Sequence, residues 1–223
     1  MFSTKTETIL PEIEHIAKWA RTNNLILNDL KTTEMIVSRS RVKPNDLPAE
    51  LEGIQRKQQI KVLGITFTSK LNFEPHITNL TQSSAQSMYA LRVLKAHGMP
   101  EEALKLVAQS TVVARMRYAS QAWRGFLDCA SITALNGVFK KMQRQGLLPR
   151  DSPDIMQFFD TDDTTLFNTI IANPTHVLYH LLPPTQTSQY SMRKRAHNFT
   201  LPKQHALLKP KNFISRMLFK DAY

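Results

Sequence analysis

Residues 60–96 read IKVLGITFTSKLNFEPHITNLTQSSAQSMYALRVLKA, and the pattern of this stretch changes at Pro75. Residues 60–67 are rich in β-branched side chains, which predicts a strand. Gly64 inside that strand predicts either a bulge or a backbone that another group approaches closely. Residues 76–96 predict a helix. The stretch therefore joins a strand-containing part of the chain to a helical part, which predicts an α+β protein.

The sequence on either side extends the same division. On the N-terminal side, apolar residues at helical spacing predict a helix at 11–24, followed by two short strands at 25–27 and 34–37 and a loop at 38–58. On the C-terminal side, proline, acidic and glycine signals predict helices at 100–123, 131–145 and 163–172. The expected organisation is a strand-containing unit at 1–75, a helical bundle at 76–182 and an extended tail at 183–223, with a short apolar helix at 212–219 as the alternative for that part of the tail.

Charge is unevenly distributed along the chain. The 223 residues hold 29 Lys and Arg against 18 Asp and Glu, a formal net charge of +11. Residues 183–223, the basic tail, carry eight of the cations and a single acidic residue. This balance favours a polyanionic partner, and RNA or DNA is the one expected. A solvated tail without any partner is the alternative reading.

Composition excludes several other classes of protein. The single Cys129 rules out an internal disulfide or a cysteine zinc cage, and it favours an intracellular compartment. No apolar run approaches the ~20 residues that span a bilayer, so no membrane role is expected. A chain of this length is expected to bury roughly 70% of the surface of its unfolded form, which argues against disorder.

Six short motifs, in order along the chain, resemble the non-LTR retrotransposon reverse transcriptases of the jockey-like LINE type. They are WARTNNLILN with KT at 19–32, KVLGITF at 61–67, YALR at 89–92, YASQAW at 118–123, NPTHVL at 173–178 and RAHNF at 195–199. The resemblance covers the region downstream of that family's catalytic aspartate pair. It implies the end of a polymerase palm at 1–75, a thumb-like helical region at 76–182 and a basic tail.

The resemblance also implies roles for three residues. Lys31 matches the palm lysine near the incoming nucleotide triphosphate, where an ammonium can stabilise the pyrophosphate leaving group. Leu63 and Gly64 match the hairpin that grips the primer end. From spacing alone, the favoured interpretations are a solvated turn lysine for Lys31 and a sheet bulge for Gly64.

Two departures from the family pattern bear on activity. A polymerase of this class holds two Mg²⁺ ions on carboxylates from upstream palm segments, and the aromatic-x-Asp-Asp strand is expected to lie before Met1. We therefore expect no catalytic residue, no metal site and no bound cofactor in this chain, with Mg²⁺ serving the full-length family. Arg117 in an apolar helical stretch and Arg124 after Trp123 look like decay of the family sequence.

Two other patterns imitate metal sites. Asp162 and Asp163 resemble the missing aspartate pair, but the residues that follow predict a helix for which Asp163 is a good N-cap. His176 and His180 are four residues apart, which on a helix is the spacing of two zinc ligands, although a structural pair is the expected reading.

Basic side chains give the candidate nucleic-acid contacts. They are Lys140, Lys141 and Arg144 on the predicted third helix of the bundle and Arg193, Lys194 and Arg195 in the tail, with a solvated helix face as the alternative for the first three. The sequence thus predicts a truncated reverse transcriptase fragment that is inactive alone and retains primer or template binding. The alternatives are a non-enzymatic helical nucleic-acid-binding or interaction protein and an inert element remnant.

Overall fold

A computed structural model describes residues 9–38, 47–185, 197–201 and 211–220 of the chain. The chain divides into two compact units, Met1–Asn72 and Phe73–Tyr223. The first contains short strands and one helix, and the second is helical, so the α+β prediction is confirmed. Of the helices that the structure describes, none combines the length and hydropathy needed to span a bilayer.

The first unit begins with helix α1, Ile9–Thr22, which confirms the helix predicted at 11–24. Residues 25–27 form no regular structure, so the strand predicted there is wrong. Strand β1, Thr33–Glu34, pairs in parallel with β2, Gln55–Arg56, inside the stretch predicted as a loop. Ile26 in this segment is 98% exposed. A run of three apolar residues forms a strand only where a neighbouring strand pairs with it, and no strand in the described part of the chain pairs with residues 25–27.

Residues 59–68 form a β-hairpin with a two-residue loop, in place of the single strand predicted at 60–67. Strands β3, Gln59–Val62, and β4, Ile65–Thr68, are antiparallel, with Val62 opposite Ile65. Leu63 and Gly64 form the connecting turn, and both have positive φ, 48° and 88°. Turns with two positive φ angles match the twist of the flanking strands, and glycine adopts this conformation without strain. Gly64 is therefore a turn residue, and the bulge interpretation is wrong.

The second unit is a bundle of helices. Their bounds are α2 Glu74–Ala96, α3 Glu101–Ala108, α4 Ala114–Arg117, α5 Ser120–Trp123, α6 Cys129–Arg144, α7 Ile155–Ala172 and α8 Phe213–Phe219. A π-helical turn, Gln109–Val113, joins α3 to α4. The predicted helices at 76–96 and 131–145 are confirmed, with starts two residues earlier than expected.

The helix predicted at 100–123 is interrupted before its end. Ala119 lies in the left-handed region with φ of 49°, which separates α4 from α5. The break turns Trp123 into the core, where its indole N–H donates to the Tyr118 carbonyl at 3.2 Å. The Trp123 ring meets His76 and Phe159 edge-on, each with centroids 5.3 Å apart. Burial of this large ring outweighs the small cost of the left-handed alanine.

Helix α7 begins eight residues before the predicted start at Asp163. Asp154 caps it by accepting from the Gln157 backbone N–H, and the Gln157 side chain in turn accepts from the Asp154 N–H. This reciprocal pair is a capping box. Asp163 therefore lies in the middle of the helix and is fully buried, so its predicted role as an N-cap is wrong.

Part of the basic tail folds back as helix α8. Asn212 caps it, and Phe213, Met217 and Leu218 are buried in a cluster that includes Phe167 of α7. The sequence had left open whether this segment is extended or forms a short apolar helix, and the structure contains the helix.

Gly125 allows Lys211, two residues before α8, and Arg216 of α8 to pack closely against the chain. A Cβ at this position would overlap the Lys211 carbonyl oxygen and the Arg216 guanidinium. Only glycine fits this close approach without a shift of the neighbouring chain.

Candidate nucleic-acid interface

The exposed face of α6 carries the three cations that the sequence singled out. Lys140, Lys141 and Arg144 are all exposed, because the opposite face of α6 buries its apolar side chains. Those buried side chains include Leu135, Val138, Phe139 and Met142. Since residues three and four apart share one side of a helix, Arg144 lies beside both lysines.

A shallow cavity of about 260 Å³ brings Arg144 together with two further cations. Its lining comes from the end of α2 and from the end of α6 with the residues after it: Leu91, Arg92, Lys95, Arg144, Gln145 and Leu147. Leu91 and Leu147 are buried, whereas the three cations are exposed. We call this feature the α2–α6 basic cavity.

Sequence reasoning missed Arg92 and Lys95. Their spacing of three on a helix was visible, but their partner Arg144 lies some fifty residues further along the chain. Only the packing of α2 against α6 brings these cations to one cavity.

The cations on this face form no ion pair within the described part of the chain. Arg92, Lys95, Lys140, Lys141 and Arg144 take part in none of the ion pairs found there. The Arg92 guanidinium instead lies over the Tyr89 ring, 5.2 Å from its centroid. Clustered cations without counter-charges create a positive potential that attracts anions.

The other residues implied by the resemblance lie in the first unit or outside the described residues. Lys31 ends a short 3₁₀ helix, Asp29–Lys31, and is exposed; its backbone N–H donates to the Asn28 side chain at 3.1 Å. Leu63 and Gly64 form the hairpin tip, where Leu63 is 84% exposed. Arg193, Lys194 and Arg195 lie outside the described residues.

A buried carboxylate on α7 holds two arginines from distant segments. Asp163, which has no exposed surface, accepts from Arg124 Nε and from Arg216 Nη2, both at 2.8 Å. Both guanidinium side chains are largely buried too. Arg216 thus ties α8 to α7, and this residue of the basic tail serves the fold.

The neighbouring carboxylates of α7 bind arginines in the same way. Arg117 makes a two-pronged contact with Asp162, with Nε 2.9 Å from Oδ2, and Arg124 Nη2 lies 2.6 Å from Asp160. Because its guanidinium donates to Asp162, the pKa of Arg117 is raised above its usual value. Arg117 and Arg124 therefore have structural partners in the fold.

These ion pairs also decide what the Asp162–Asp163 pair can do. Arg117 holds Asp162, whereas Arg124 and Arg216 hold Asp163, and both carboxylates are on a helix and not on a strand hairpin. Among the described residues, no three His, Cys, Asp or Glu side chains cluster closely enough to hold a metal ion. His176 and His180 do not share a helix, because the chain turns after Asn173 and forms only a short 3₁₀ segment, Tyr179–Leu181.

Comparison with known proteins gives one informative similarity. The chain is 31% identical over 112 residues to a protein of Drosophila melanogaster named as a probable RNA-directed DNA polymerase from transposon BS. The matched region is 48% of this chain and 12% of that protein, so the chain spans only a small part of its relative's length. No protein-family profile and no solved structure matches the chain. The similarity supports a reverse-transcriptase-like relationship.

Proposed function

We propose that the chain is a segment of a non-LTR retrotransposon reverse transcriptase of the jockey-like LINE type, and that it binds RNA and DNA without polymerising. The similarity to a transposon RNA-directed DNA polymerase carries this proposal. The six ordered motifs, from WARTNNLILN at 19–28 to RAHNF at 195–199, support the subtype and a position downstream of the catalytic aspartates.

In this assignment, residues 1–75 are the end of the palm and residues 76–182 the thumb-like region. The exposed turn at Leu63 and Gly64 supports a primer-gripping role, because a tight turn lets a nucleic-acid backbone approach closely. The exposed position of Lys31 is compatible with contact to a nucleotide triphosphate. Residues 183–223 form the basic tail, part of which is used by α8.

Polymerisation requires carboxylates that the described residues do not offer. Two Mg²⁺ ions activate the primer hydroxyl and stabilise the leaving group in this chemistry. Asp162 and Asp163 cannot take that role while they hold Arg117, Arg124 and Arg216. We therefore assign no nucleotide addition to this chain, and Mg²⁺ chemistry belongs to the full-length enzyme.

Nucleic-acid binding is supported by the cations of α6, which form no ion pair in the described part of the chain, and by the positive charge of the tail. Lys140, Lys141 and Arg144 form the interface on the second unit, and Arg193, Lys194 and Arg195 add contacts from the tail. Each phosphate that a cation neutralises releases condensed counterions, so affinity depends steeply on salt. Contacts of this kind bind RNA and DNA with little sequence preference.

Salt-dependent binding to labelled RNA and DNA tests this function. The full chain should bind at ~50 mM salt, and Lys140→Ala with Lys141→Ala should flatten the log–log salt slope by roughly 1.4–1.8 for two lost phosphate contacts. Lys105→Ala is the matched control, because Lys105 is a partly exposed helix lysine that is already paired with Glu101 and Glu102. Binding that is absent at ~50 mM salt, or insensitive to salt, would overturn the proposal.

Primer extension on an RNA template with dNTPs and Mg²⁺ tests the absence of polymerisation. The chain should add no nucleotide above a buffer control. Incorporation that Asp162→Asn abolishes would show that the α7 carboxylates bind metal after all.

A further inference from the structure

An exposed aromatic side chain stands beside the α2–α6 basic cavity. Tyr89 lies on α2, three residues before Arg92, and is 61% exposed. The Arg92 guanidinium covers part of the ring at 5.2 Å and also lines the cavity. Arg92 therefore links the aromatic ring and the cavity into one continuous surface.

The cavity itself has the chemistry of a site for a sugar–phosphate chain. Arg92, Lys95 and Arg144 provide three cations, while Leu91 and Leu147 give an apolar floor. Its volume of about 260 Å³ is below the ~300–1,000 Å³ that encloses a typical small-molecule ligand. An open, small and cationic cavity is suited to one section of a polymer that continues across the surface.

The dimensions match a short run of nucleotides. Arg92 contacts the Tyr89 ring and also lines the cavity, and it lies only three residues from Tyr89, about 4.5 Å along the helix axis at 1.5 Å per residue. One to two stacked nucleotides cover that distance at about 3.4 Å each. Phosphates at the cavity and a base at Tyr89 can therefore belong to the same strand.

Resting on the proposed nucleic-acid function, we propose that Tyr89 and the α2–α6 basic cavity form a site for single-stranded nucleic acid. The cations hold the phosphates, and a base stacks on the Tyr89 ring. Every base has a π face, so such a platform accepts any sequence and both RNA and DNA. Bases inside a duplex are stacked on one another and do not offer that face, so the Tyr89 contact is specific to single strands.

The experiment compares four labelled oligonucleotides of equal length with the full chain. They are single-stranded DNA, single-stranded RNA, the DNA duplex and an abasic DNA strand that keeps the phosphates without bases. Stacking is worth ~1–3 kcal/mol per base, so Tyr89→Ala should weaken single-strand binding about 5- to 150-fold. Binding of the duplex and of the abasic strand should change less than about 2-fold.

Two variants separate the ring from the charges. Tyr89→Phe keeps the stacking face and should bind like the parent chain, whereas Lys95→Ala with Arg144→Ala should weaken all four oligonucleotides and flatten the salt slope. These side chains are exposed, so thermal unfolding of the variants should match that of the parent.

The outcomes distinguish this inference from the proposed function. Failure of the parent chain to bind any oligonucleotide would overturn both. Normal binding by the parent with no loss in Tyr89→Ala, or with equal losses for single strand, duplex and abasic strand, would overturn the stacking site and leave the nucleic-acid function standing. Selective loss for RNA and DNA single strands supports the site, and a larger loss for one of them identifies the preferred strand.

Discussion

Replacing Asp163 by alanine should destabilise the helical unit far more than the same change at Asp162. Asp163 has no exposed surface and is shared by Arg124 and Arg216, whose side chains are also largely buried. Its removal leaves Arg216 with no carboxylate partner in the described part of the chain, and it leaves Arg124 with only Asp160, whose side chain is 54% exposed. Asp162 instead pairs with Arg117, a guanidinium that keeps 39% of its side-chain surface in water.

The magnitudes follow from burial. Breaking a buried ion pair by removing one partner costs about 3–5 kcal/mol, whereas a pair with an exposed member is worth about 1 kcal/mol or less. At an m-value of about 2 kcal/mol/M, Asp163→Ala should lower the urea midpoint by roughly 1.5–2.5 M and Asp162→Ala by no more than ~0.5 M. A typical domain has only about 5–15 kcal/mol of stability, so Asp163→Asn provides a milder variant if the alanine chain does not fold.

Urea unfolding followed by circular dichroism at the helical band measures both variants. A triple variant, Asp163→Leu with Arg124→Met and Arg216→Met, removes the charges together and should recover most of the loss. The physical reason is that apolar replacement of a whole buried ion cluster is often neutral or stabilising. This cluster is also incompletely satisfied, because Asp163 Oδ1, Arg124 Nη1 and Arg216 Nε are buried without a protein partner in the described part of the chain.

Two results would refute this account. Equal losses for Asp163→Ala and Asp162→Ala would mean that Asp163 is not buried between the two arginines. A triple variant as unstable as Asp163→Ala would mean that the loss comes from packing and not from unpaired charge.

Two further predictions concern Gly125 and Asp128. Gly125→Ala should detach α8, because the new Cβ would overlap the Lys211 carbonyl oxygen. Limited proteolysis should then cut the C-terminal segment sooner than in the parent chain. The control is Gly137→Ala, whose Cβ would meet nothing within 4 Å, and it should leave the cutting rate unchanged or lower it. The Ser131 backbone N–H donates to Asp128 and lowers the pKa of that carboxyl. The stabilisation of α6 by this cap is therefore fully present above the ordinary Asp pKa of about 3.9, and it is lost as the pH falls through the lower pKa of the folded state. Asp128→Asn keeps the cap without titrating, so its thermal midpoint should fall less than the parent's below about pH 4, and an identical pH profile would contradict the assignment.

Local signals predicted most of the helices but not their interruptions. Proline with acidic residues marked the start of α3, and glycines marked the ends of α2 and α6. The break at Ala119 has no local signal, because alanine favours a helix and only the burial of Trp123 turns the chain. The start of α7 could have been predicted, because Asp154 and Gln157 have the spacing of a capping box, but the predicted start was Asp163.

The candidate interface was predictable only in part for the same reason. The cations of α6 were visible as a cluster in the sequence, but the cavity needs Arg92 and Lys95 from a helix some fifty residues earlier. The partners of Asp163 are 39 and 53 residues away along the chain, so no spacing rule could match them. Charge pairing between distant helices depends on how they pack.

The matched charges around α7 bear on the alternative that the chain is an inert element remnant. Asp163 is paired by arginines from two separate segments of the chain, before and after α7. An arginine at position 216 without Asp163 would be a largely buried guanidinium with no carboxylate partner in the described part of the chain, at a cost of about 3–5 kcal/mol. Most substitutions destabilise a fold, so unselected change removes such matched pairs more often than it creates them. Arg117, Arg124 and Arg216 are thus part of a consistent packing arrangement around α7, and this arrangement supports the folded unit that carries the α2–α6 basic cavity.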